Sequence, residues 1–167
     1  MEINQTEAGA RMNINAYIDY DGLSVLKKII LQIISIAYSP VNMTQLINCL
    51  VALDIKSEDG DDFHNGSQNG KFSRIRPTID GLLELNIFEG KSRSSLVLSS
   101  KIAKLLTKIC VQENKFNEYL EVVQKYIIKM PDDSEITSQA YKTEQLTAFI
   151  PYRYTQVPTH YAMLSIP

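Results

Sequence analysis

The sequence predicts a mainly helical fold with one small β-hairpin and a C-terminal helical extension, and three observations predict it. Apolar residues recur at helical spacing in several stretches between residues 21 and 130. Start and stop signals bracket those stretches: polar caps before them, Pro40 and Pro131 after them. Only residues 87–98 place two short aliphatic runs around a charged turn, the pattern of a hairpin. With 167 residues, 44% of them apolar and 22% charged, the chain can bury one core and carry an appendage.

Residues 1–20 read as a flexible N-terminal arm. From Asp21, a good N-cap, Leu23, Leu26, Ile30, Ile33, Ile34 and Ala37 form the stripe of a first helix that stops before Ser39-Pro40. A second helix opens at Asn42, where Asn42-x-x-Gln45 has the form of a capping box and Val41 can staple against Leu46. Residues 54–70, rich in Asp and Gly, read as an acidic loop that has little to bury and is dispensable for folding. A third helix is expected from near Ser73 to about Asn86, with Ile75, Ile79 and Leu82 inward and Pro77 early enough to be tolerated. Ile87-Phe88, the turn EGKSRS and Leu96-Val97-Leu98 make the hairpin, and Ser99 or Ser100 caps a fourth helix carrying Ile102, Leu105, Leu106 and Ile109. The extension, 113–150, should begin with a helix over Asn114–Met130 and include a short one around Ser134–Ala148; 151–167 reads as an extended, tyrosine-rich tail. The three stripes of residues 21–98 are expected to close one core containing Ile30, Ile33, Leu46, Leu50, Ile79, Leu82 and Leu98.

The run Val41-Asn42-Met43-Thr44-Gln45-Leu46, followed by IRPTIDGLLELNIFEGKSRSSLVLS, resembles the winged helix–turn–helix superfamily of prokaryotic regulators over residues 21–112. The resemblance implies that the third helix is a recognition helix and the hairpin a wing. It departs from the superfamily in the length of the turn between the second and third helices, which here is the acidic loop.

Charge is unevenly placed. Between Lys71 and Lys108 stand eight basic residues against three acidic ones, on a chain of net charge −2. A local basic segment of this kind can grip phosphate even on an acidic chain. The candidate DNA contacts are Lys71, Ser73, Arg74, Arg76 and Thr78 on the third helix, and Lys91 and Arg93 in the wing. On the helix, Asp80 and Glu84 oppose phosphate, and Arg76 can pair with Asp80 at i,i+4. Lys101, Lys104 and Lys108 either extend the basic stripe or form the solvated face of their helix.

Other chemistry finds little support. Asp59, Asp61 and Asp62 suggest calcium, but Phe63 stands where a ligand belongs. His64 and His160 are far apart in sequence and lack a ligand or catalytic set. Phosphate loops and nucleophile elbows are missing, so no cofactor, metal or enzymatic activity is expected. Cys49 and Cys110 read as core thiols of a cytoplasmic protein, and the most apolar segment is too short and too charged to cross a membrane. Two functions follow as expectations. One is a DNA-binding transcriptional regulator, dimerising through the C-terminal helices. The other is a non-enzymatic adaptor subunit of a larger assembly, such as an ATPase complex of the structural-maintenance-of-chromosomes type, docked through its acidic loop and C-terminal segment.

Overall fold

The segment VLKKIILQIISIA has its only charges, Lys27 and Lys28, in its first turn and is otherwise almost wholly apolar. A helix apolar on all sides is satisfied only by neighbours all round it, and the rest of the fold is built about this one. The computed structural model describes residues 3–128. They form α1 (Ile3–Asn15), α2 (Val25–Ala37), α3 (Met43–Ala52), α4 (Gln68–Leu83), α5 (Ser100–Gln112), α6 (Phe116–Val123) and a closing π-helical turn, Gln124–Ile128. The central helix is α2, buried at every residue from Ile30 to Ala37 and packed by α4, α5 and α6. All seven expected core residues are buried in one cluster. The fold is mainly helical, as expected.

Several boundaries differ from the expectation. The N-terminal arm contains α1, which packs on α5 and buries Ala10 and Ile14, with Ile18 and Tyr20 buried just beyond it. Ala10, Ile14 and Ile18 recur every fourth residue, a sparse stripe in a segment of mixed polar and apolar residues. Helix α2 is capped by Ser24, whose hydroxyl accepts from the Lys27 amide, rather than by Asp21. Asp21 instead receives the Asn15 side-chain amide. Residues 113–128 are no separate extension either: Phe116, Tyr119, Leu120, Val123 and Ile127 belong to the same core. The expected helix beyond 128, the Pro131 stop and the tail lie outside the described residues.

The acidic loop is the largest departure. It ends at Ser67, which caps α4 by accepting from the Gly70 amide. Within it, Ser57 and Asp61 close a turn through Ser57 N–H to Asp61 O (2.8 Å) and Asp61 N–H to Ser57 Oγ (3.1 Å), with Gly60 at φ +86° as the turn requires. Asp62 Oδ1 accepts from the amides of His64 and Asn65, Glu58 takes the Ser24 hydroxyl, and the Phe63 ring is fully buried. One apolar side chain thus anchors a polar segment, and Pro77 consequently lies in the interior of a 16-residue helix rather than in its first turns. Both Pro77 and Ser73, whose carbonyl loses its helical donor, are exposed, so water can replace the missing bond.

Elsewhere local signals hold. Asn42 and Gln45 form the full capping box (2.9 and 3.0 Å). Asn86 and Asn114 take left-handed backbone conformations (φ 56° and 58°) just after α4 and α5, a role asparagine tolerates. The hairpin is reduced to one isolated antiparallel bridge, Phe88 with Leu98, while Leu96 bridges instead to Val41 ahead of α3, and no longer strand forms among the described residues. Gln32, buried in α2, donates to Tyr20 Oη (3.0 Å) and to Glu113 Oε2 (2.9 Å), while Arg11 pairs with Glu113 Oε1 (3.0 Å). These bonds tie α1, α2 and the end of α5 together, with every named group satisfied.

Burial pushes the Cys49 thiol up to about 12 and raises that of Cys110, which also feels the Glu113 carboxylate. Neither thiolate forms near neutral pH in the folded chain. A thiol-reactive chromophore at pH 8 is expected to label neither cysteine until denaturant unfolds the protein, when both react. Rapid native labelling of either would contradict the core placement.

Candidate nucleic-acid interface

The buried side of α4 carries Ile75, Thr78, Ile79 and Leu82, the i, i+3, i+4, i+7 set of one helical face. Thr78 therefore faces the core and is unavailable to a ligand, correcting its expected role. Ser73, Arg76, Pro77 and Asp80 repeat the same spacing on the other side. Ser73, Arg76 and Pro77 are exposed there, and the Ser73 hydroxyl donates to Asn69 O (3.0 Å). Helix α4 leans on α2, and a Cβ at Gly81 would come within 3.3 Å of Lys27 Nζ.

Two of the three candidate arginines, Arg74 and Arg93, are already engaged. Arg74 donates from one guanidinium nitrogen to the carbonyls of Asp62 (2.8 Å) and Asn65 (3.0 Å), clamping the loop to α4. Arg93 makes a two-pronged ion pair with Asp80, Nε to Oδ1 at 2.6 Å and a terminal nitrogen to Oδ2 at 2.8 Å. The expected Arg76–Asp80 pair is thus replaced by a longer-range partner, although Arg76 remains close enough to act on the Asp80 charge. The Arg93 hydrogen bond holds the Asp80 carboxyl below its ordinary value of 3.8 and raises the Arg93 guanidinium in return. Its stabilisation is therefore complete above that ordinary value and is lost as pH falls through the lowered one.

Lys71, Arg76 and Lys91 have no ion-pair partner among the described residues; Arg76 and Lys91 are exposed and Lys71 is half-buried. Because the Arg93–Asp80 pair pins residues 89–95 beside α4, Lys91 and Arg76 belong to one neighbourhood. The loop that Arg74 clamps to the same helix has Glu58, Asp59 and Asp61 exposed and Asp62 half-exposed. The backbone amides of Asn65 and His64 hold Asp62 below the ordinary carboxylate range. No grouping of three or more potential metal ligands occurs among the described residues, and no helix there is long and apolar enough to cross a membrane. The apolar side of α6 is buried within the chain, so its outward positions, among them Glu118 and Glu121, are charged.

Comparison with family models, with curated proteins and with solved structures gives no match.

Proposed function

We propose that the chain is a non-enzymatic, cytoplasmic binding protein of winged-helix type. It contacts duplex DNA through the exposed side of α4 and the 89–95 turn, as a transcriptional regulator does. The observation that carries this reading is the Arg93–Asp80 ion pair, which brings a basic turn against the outward side of α4. Lys71, Arg76 and Lys91 supply the free positive charge, and Ser73 a hydroxyl near the start of the face. Phosphate contacts of this kind position a protein on the duplex, and base contacts from the helix add preference.

A second reading, an adaptor that binds a basic protein surface, is favoured by the anchored loop. Its exposed carboxylates are held in place by Phe63 and Arg74 rather than left to swing away from a partner. Salt dependence separates the two. Titrating the full chain against a fluorescent duplex at two salt concentrations should show binding that weakens as salt rises. Replacing Lys71, Arg76 and Lys91 by alanine should flatten the log–log slope by about 0.9 for each contact removed. Absence of duplex binding at low salt would discard the DNA reading and leave the adaptor.

A further inference from the structure

From Gly90 to Gln112 the chain contains no acidic residue, and on α5 the basic residues fall at 101, 104 and 108. That spacing puts Lys101, Lys104 and Lys108 on one side of the helix over roughly 10 Å of its length. The opposite side, with Ile102, Leu106 and Ile109, is buried in the core. Among the described residues no carboxylate pairs with any of the three lysines, in contrast to Arg11, Arg93 and Lys115, which all have acidic partners. An ordinary solvated helix on a chain of net charge −2 would mix the two signs. This one does not.

A second feature lies at the same place. Tyr17, just beyond α1, is 45% exposed, one of few large apolar side chains so placed among the described residues, and Lys101 Nζ lies 5.0 Å from its ring centroid. Helix α1 runs antiparallel to α5 along their seam, because Tyr17 meets Lys101 near one end and Arg11 meets Glu113 at the other. An open aromatic ring therefore stands at the head of a row of unpaired lysines.

We propose that the α1–α5 seam binds single-stranded nucleic acid, with Lys101, Lys104 and Lys108 along the phosphates and Tyr17 stacking on a base. Lysines tracking a backbone beside an aromatic platform is the chemistry of sequence-tolerant single-strand binding. Lys101 turns from the ring to a phosphate, and the base takes its place. A lipid surface fits less well: the apolar side of α5 is in the core, and the exposed apolar side chains of α1 and its end, Met12 and Tyr17, do not make the continuous apolar face that enters a bilayer.

The test is an anisotropy titration of the full chain with a fluorescent oligothymidine at two salt concentrations. Lys101→Gln/Lys104→Gln/Lys108→Gln should flatten the log–log slope by about two, at about 0.7 per single-strand contact. Tyr17→Ala should weaken binding roughly tenfold with the slope unchanged, because stacking releases no counterions, and Tyr17→Phe should restore it. Thermal melts check that each variant folds; should the triple variant fail, Lys101→Gln/Lys104→Gln, at two exposed positions, carries the test. The duplex reading above is independent: loss of duplex binding with oligothymidine binding intact leaves this inference standing. Four results with the oligonucleotide would each overturn it. These are no oligothymidine binding at low salt, lysine variants that bind like wild type, a neutral Tyr17→Ala, or equal loss on replacing Lys71, Arg76 and Lys91. Anionic vesicles that hold the chain as tightly as the oligonucleotide would overturn it in favour of a membrane surface.

Discussion

Phe63→Ala is expected to lower the free energy of unfolding by about 3–5 kcal/mol, the range for deleting a buried aromatic ring. The ring is fully buried, yet it comes from a stretch, SEDGDDFHNGSQNG, whose other residues have almost nothing to contribute to a core. Removing it takes away the one apolar anchor of the loop as well as leaving a cavity. The turn closed by Ser57 and Asp61, and the carbonyls that Arg74 grips, then have no fixed position relative to α4. Exposed changes in the same loop, such as Asp59→Ser, should stay within about 0.5 kcal/mol. Urea denaturation of the full chain checks both, and deletion of residues 57–66 should cost at least as much as the single alanine. A loss below about 1 kcal/mol for Phe63→Ala would mean that the loop is dispensable after all.

That contrast shows what kind of information the sequence carries in the open. The Asn42–Gln45 capping box, the buried stripe of α2 and its stop before Ser39-Pro40 are local patterns, readable over short stretches of chain. Thr78 was legible too: it stands three residues after Ile75 and one before Ile79, and periodicity alone assigns it inward. What escaped depends on pairs distant in sequence or on a single side chain. Phe63 carries no periodic signal, so its run reads as solvent-exposed. Arg93 meets Asp80 across 13 positions and Gln32 meets Glu113 across 81, and no local rule selects those partners over nearer ones. The same limit applies to the candidate interface. Composition locates the basic segment, but which of its arginines are free is decided only when the chain folds.

Asp80→Asn is accordingly expected to increase duplex affinity by about tenfold at low salt and to steepen the log–log slope by about 0.9, the increment of one added phosphate contact. In the wild type, Asp80 accepts two hydrogen bonds from Arg93 and places a negative charge within reach of Arg76. Asparagine keeps the shape and removes the charge. The guanidinium is then free to turn to a phosphate, and repulsion between the helix face and the duplex falls as well. Stability should change little, since exposed ion pairs contribute roughly 0.2–1 kcal/mol, and both partners are substantially solvated, at 47% and 40%. Arg93→Ala in the Asp80→Asn background should remove most of the gain in slope, whereas Glu84→Gln, which frees no arginine, should raise affinity only slightly. Should Asp80→Asn leave duplex binding unchanged or weaken it, the pair's part would be to hold the 89–95 turn in place, and Arg93 would have no latent role at the phosphate backbone.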